Sequence, residues 1–151
     1  MSFDRRRMLT TPLLAAAALP FWAYAKAPLP EVNVYKDPDC GCCSAWAEHM
    51  RRNGFRVVTH DVRDLTAVKR KHRVPQALDA CHTAIVEGYA VEGHVPADAV
   101  RRLLRERPAG VIGLAVPGMP PGSPGMESPT PQRYDILAFD ARGKSRVYER
   151  R

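Results

Sequence analysis

From residue 31 onward the chain switches repeatedly between two hydrophobic periods. Glu31-Val32-Asn33-Val34-Tyr35 alternates polar with apolar positions up to Lys36, the two-residue period of a strand. Cys42 to Arg52 then carries helical chemistry around Ala45, Trp46 and Met50, and Asn53-Gly54 stops it. Phe55 to Val62, rich in β-branched residues, predicts a second strand. A short helix from about Leu65 to His72 ends before Val74-Pro75, and Gln76 to His82 reads as irregular. Thr83–Val86 and Ala90–His94 flank Glu87-Gly88-Tyr89, the signal of a hairpin. Pro96 to Glu106 predicts an amphipathic helix with Val100, Leu103 and Leu104 on one face and Pro96 near its first turn. Residues 117–131 hold six prolines and three glycines. After them Tyr134–Asp140 and Lys144–Tyr148 read as strands around Arg142-Gly143, a final hairpin. The loop must therefore return the chain to the same domain, which predicts an ordered, lid-like course.

This βαβα order, followed by Val-Pro, a hairpin and a helix, is that of the thioredoxin and glutaredoxin architecture. The expectation is one small α/β domain, residues 26–151, with a thioredoxin-like mixed sheet, flanking helices, a Pro/Gly/Met-rich loop and a C-terminal hairpin. In such a sheet, ligands collect at the carboxyl edge of the strands.

That edge is where the cysteines fall. Cys40, Cys42 and Cys43 are three of the four in the chain, and they sit where the first strand gives way to the first helix. Unpaired N–H groups and the positive end of the helix dipole favour thiolate there, the form that binds metals and attacks disulfides. The segment inserted after Pro75 carries Cys81 and His82, and the thioredoxin-like order sets them beside the first cluster. Soft thiolates select Cu(I), zinc or the iron of iron–sulfur clusters over calcium and magnesium. Cys42 and Cys43 diverge by about 100° on a helix, which hinders convergence on a single tetrahedral ion such as zinc and suits bridging of several Cu(I) ions. His82, His94, Met119 and Met126 are accessory candidates, the two methionines because they repeat in Pro-Gly-Met units. His49, His60 and His72 fall within ordinary element patterns. Trp46 and Met50 belong to the core.

Two other uses of the thiols stay open. An even number of cysteines in an exported chain also suits two stapling disulfides, although three cysteines in four residues staple a loop inefficiently. Cys40 and Cys43 could equally form the Cys-x-x-Cys pair of a thiol–disulfide oxidoreductase, with Cys81 or Cys42 as resolving thiol. The extra Cys42 argues against that use, since a third thiol would shuffle the redox disulfide. No hydrolase, kinase or nucleotide signature appears.

The N-terminal 25 residues predict a cleaved export signal. Arg5-Arg6-Arg7 precede the short apolar Leu9–Ala18, and Ala23-Tyr24-Ala25 offers a small-x-small cleavage site near Ala25. Arg5-Arg6-x-Met8-Leu9 is twin-arginine-like. Pro12 and Pro20 interrupt a stretch already shorter than the roughly 20 residues a membrane span needs, so no stable membrane anchor is expected. A bacterial periplasmic location follows. The formal charge of +7 is scattered without interleaved aromatics, which speaks for a solvated surface and against nucleic acid as a partner.

Cys40-Gly41-Cys42-Cys43 with Trp46, Lys69 to Pro75, Cys81-His82-Thr83-Ala84, Glu87-Gly88-Tyr89, Glu92-Gly93-His94-Val95-Pro96, and the stretch from Gly113 to Met126 together resemble the CopG-like proteins, a family of exported bacterial metal-binding proteins associated with copper resistance. The resemblance runs from about Val32 to Phe139. It implies a thioredoxin-like fold in which Cys40, Cys42, Cys43 and Cys81 hold copper, with a redox role and with copper ions and periplasmic copper-handling proteins as partners.

Overall fold

The computed structural model describes residues 28–151, so the expected export signal lies outside the described residues. Strand β1, Glu31–Lys36, buries Val32, Val34 and Lys36 on one face, as its alternation predicts. Helix α1, Gly41–Arg52, begins at the cysteine cluster and buries Cys43, Trp46, Ala47 and Met50, the i, i+3, i+4, i+7 stripe of a core-facing helix. Strand β2, Arg56–Asp61, is followed by the short α2, Thr66–Lys71, and a 3-10 turn at Gln76–Leu78. Strands β3, His82–Val86, and β4, Tyr89–Gly93, form the expected hairpin. Helix α3, Ala97–Glu106, follows, with Pro96 at its N-cap rather than inside the first turn. Three strands complete the chain: β5, Val111–Val116; β6, Asp135–Asp140; and β7, Ser145–Arg150.

The seven strands among the described residues join one mixed sheet in the order β2-β1-β3-β4-β5-β6-β7. β1 runs parallel to β2 and antiparallel to β3; β4 runs parallel to β5, and the remaining pairs are antiparallel. The main core lies between one face of this sheet and helices α1 and α3, where Val32, Val34, Ala84, Val91, Leu114 and Ile136 meet Trp46, Met50, Val100 and Leu103. A smaller apolar cluster, Leu78, Ala90, Ala115 and Phe139, lies apart from it.

Two expectations are corrected. Strand β5 is not anticipated by the alternation, and it makes the sheet larger than the small one expected by carrying the C-terminal hairpin into it. Val111 to Val116 shows no period because it lies between β4 and β6, and Gly113 interrupts it for a packing reason: a Cβ there would stand 2.3 Å from the Ala90 carbonyl oxygen and 2.4 Å from the Phe139 ring. Likewise His82 belongs to β3 rather than to the irregular stretch, paired across from Lys36 at the cysteine end of β1.

Candidate metal centre

Cys40 occupies the N-cap of α1 with extended backbone, and Cys42 and Cys43 lie in the first turn. The β3 end of the inserted segment places Cys81 opposite them. The four Sγ atoms lie within 4.8 Å of one another. Cys42 Sγ is the hub, 3.5 Å from Cys40 Sγ and 3.9 Å from Cys81 Sγ. Cys40 and Cys43 form a disulfide with Cα atoms 5.4 Å apart, whereas Cys42 and Cys81 are free thiols. Of the two stapling bridges weighed from sequence, the structure therefore holds one. Reduction of that bond is required before all four sulfurs can act as thiolates.

Behind Cys81 stand two imidazoles. His94 Nε2 is 3.1 Å and His82 Nδ1 3.4 Å from Cys81 Sγ, so Cys81, His82 and His94 form a second close group that shares its cysteine with the first. His94 Nδ1 lies 2.7 Å from the Pro124 carbonyl, which can only accept; Nδ1 therefore carries the proton, and Nε2 turns its lone pair toward Cys81. Burial holds the His94 pKa below the ordinary imidazole value, against the carbonyl, which raises it. His82 is fully buried and lowered further, by burial first and then by His94 and Lys69. Its Nε2 has no hydrogen-bond partner among the described residues. Burial and the neighbouring Cys42 push the Cys81 thiol up to about 12. A soft metal arriving here displaces that proton.

The Pro/Gly-rich segment passes over the start of α1. It is tied internally by bonds from Gly122 N–H to Met126 O, Ser123 N–H to Pro120 O and Gln132 N–H to Pro121 O. Gly125, at φ +84°, presses so close that a Cβ would meet Cys42 O and Trp46 N at 2.9 Å. Met119 adopts a left-handed backbone, φ 47°, and brings its sulfur 4.0 Å from Cys42 Sγ. The described contacts do not join Met126 to the thiols; its backbone holds the loop turn instead. Trp46 packs in the core, donates Nε1–H to Val95 O at 2.9 Å and walls His82 with ring centroids 4.5 Å apart.

A family model described as a protein of unknown function, DUF411, matches residues 78–126. Two solved structures are similar over 82% of this chain and 98% of theirs, each with a TM-score of 0.76: a copper resistance protein CopG in its form 1, 39% identical, and the same protein in its form 2, 40% identical. The chain belongs to the CopG-like family. No curated protein matches it.

In this CopG-like chain, Lys69, Thr83 and Glu92 lie in the motifs that carry the family resemblance, but their sequence pattern assigns them no role. Glu92 is wholly buried on β4; its carboxylate accepts the Ala80 N–H at 2.7 Å and the Thr83 hydroxyl at 2.6 Å, and it pairs with Lys69. Burial pushes its carboxyl pKa up, and Lys69, Thr83 and the Ala80 amide pull it down. The available signal was a lone acidic residue inside the strand pattern Ala90-Val91-Glu92-Gly93, a position where a charge must be paired.

Proposed function

We propose that the chain is a periplasmic copper-binding protein of thioredoxin-like fold that sequesters copper through Cys40, Cys42, Cys43 and Cys81 and interconverts its oxidation states, contributing to copper resistance. The observation that carries this reading is the convergence of all four sulfurs within 4.8 Å of one another, from sequence positions 38 or more residues apart in the case of Cys81. Thiolates so grouped offer soft, bridging donors that suit several Cu(I) ions better than one zinc ion. His82, His94 and Met119 extend the donor set at its rim, and Met126 belongs to the loop that covers it. The similar structures are those of a copper resistance protein, which supports the same cargo. For the fold, support comes from the order β2-β1-β3-β4 with its first pair parallel and the next two antiparallel. No helix among the described residues is long and apolar enough to cross a membrane. Export rests on the N-terminal sequence alone.

Redox conversion follows from the Cys40–Cys43 pair. Reduced, it can pass one electron to each of two Cu(II) ions, forming the S–S bond, releasing two protons and leaving two Cu(I). The disulfide runs the reverse reaction, taking two electrons from two Cu(I) and two protons from solvent. Periplasmic copper-handling proteins would supply and collect the metal.

The Cys40–Cys43 disulfide at a helix N-terminus also favours a second reading, a thiol–disulfide oxidoreductase that acts on protein thiols. Cys42 separates the two. Cys42→Ala is expected to lose most of its Cu(I) uptake, because the hub sulfur is gone, and to show little insulin-reduction activity. Copper binding like that of the parent, with disulfide exchange dependent on Cys40 and Cys43 alone, would overturn the copper reading in favour of the second.

A further inference from the structure

Helix α2 buries none of its residues, so its place in the fold does not come from an apolar face. The Lys69 ammonium reaches inward from it, with its side chain 13% exposed. Each of that ammonium's three protons has a partner: Glu92, the Ala80 carbonyl at 3.1 Å and the Thr83 hydroxyl at 3.3 Å. Glu92 in turn fills both carboxylate oxygens, one with Lys69 and the Ala80 N–H, the other with the Thr83 hydroxyl. The network therefore grips both backbone polar groups of Ala80 and the side chain of Thr83. Between those two residues lie only Cys81 and His82.

A buried ion pair is a poor source of stability, because the cost of desolvating both charges offsets their attraction, and apolar replacements of similar volume are often neutral or better. Its use here is geometric. Ala80 and Thr83 are held from α2 and β4, and the intervening dipeptide is left with little freedom. Lys69 lies 12 residues before Cys81, and Glu92 lies 11 after it.

We propose that Lys69, Glu92 and Thr83 are positioning residues, a polar bracket that holds the Cys81–His82 dipeptide so that Cys81 Sγ faces both Cys42 and His94. The proposal deepens the copper reading and rests on it for its metal consequence. Residues around metal ligands commonly change affinity by about 10–100-fold when removed, without touching the metal themselves. A bracket of this kind matters only while Cys81 is present to be held.

The test is a double-mutant cycle on the reduced full chain, with Cu(I) affinity measured anaerobically by competition with a chromophoric chelator. The bracket is replaced as a pair, Lys69→Met with Glu92→Leu, in the parent and in Cys81→Ser. Expected is a weakening of about 10–100-fold in the parent and less than about twofold in the Cys81→Ser background. An equal loss in both backgrounds, or no loss in the parent, overturns the proposal. Should the apolar pair fail to fold, Glu92→Gln keeps the shape and an acceptor for the Ala80 N–H, and the same cycle is read with it. Amide hydrogen exchange of residues 80–83 without metal supplies an independent readout. Faster exchange confined to those residues is expected, and unchanged exchange overturns the bracket whatever copper does. If the parent takes up no Cu(I) while exchange at 80–83 still accelerates in the variant, the copper reading fails and the bracket stands.

Discussion

At the scale of single residues, the site is governed by how closely the loop backbone approaches the thiols. Gly125 has both a left-handed φ of +84° and backbone atoms of Cys42 and Trp46 at 2.9 Å from where a Cβ would stand. Gly125→Ala is expected to lower stability by about 1–3 kcal/mol and to lift the loop from α1. Thermal unfolding and the alkylation rate of Cys42 check this; an unchanged Tm with an unchanged rate would contradict it. The Cys81 thiol makes a second prediction. With its pKa pushed up to about 12, chiefly by burial, it is protonated at neutral pH and must lose its proton to bind metal. Cu(I) affinity is therefore expected to rise with pH between 6 and 8, and to do so less steeply in Cys81→Ser, as chelator competition at each pH would read. These contacts were not legible in the sequence, because the Pro-Gly-Met units name a loop but not the surface it lies on. The thiols were legible: three cysteines in four residues at a strand-to-helix junction admit few chemistries.

At the scale of elements, periodicity located six of the seven strands and all three α-helices among the described residues, and it failed where burial removed the period. Strand β5 reads as an undivided apolar run with a glycine inside, and only its neighbours explain it. Helix α3 is joined to α1 by a contact that no pattern discloses: His49 Nε2 accepts the Ala97 N–H at 3.1 Å, where the sequence suggested an ordinary helical position. Burial, and then Arg52, lowers the His49 pKa; burial also lowers His72, His82 and His94. The sign follows from proton uptake. Unfolded imidazoles protonate near pH 6.5 while the folded ones resist, so the unfolded state binds more protons and stability is lost as pH falls below about 6.5. Thermal unfolding at pH 7.5 and 5.5 should show a lower Tm at the acid value. His49→Gln keeps an acceptor for Ala97 without a titration and should flatten part of that slope. A Tm that holds or rises toward pH 5.5 would contradict the assignment.

At the scale of the whole molecule, one sheet brings together chemistry from four separate stretches of sequence: the start of α1, the β3–β4 hairpin, α2 and the loop between β5 and β6. The sequence order suggested the first two, and the Pro-Gly-Met units offered Met119 and Met126 from the loop; α2 was out of reach, since Lys69 looks like a surface charge until its buried partner Glu92 is seen. The claim that unites these parts is that Cys81 completes a copper site begun by Cys40, Cys42 and Cys43. Anaerobic Cu(I) loading of the reduced protein, with metal counted per chain and the copper edge recorded, tests it against Cys81→Ser most directly. The account predicts more than one Cu(I) per chain in a sulfur-dominated shell for the parent, and a sharp fall in stoichiometry or affinity for Cys81→Ser with its metal-free fold intact. Uptake by Cys81→Ser equal to that of the parent would contradict it.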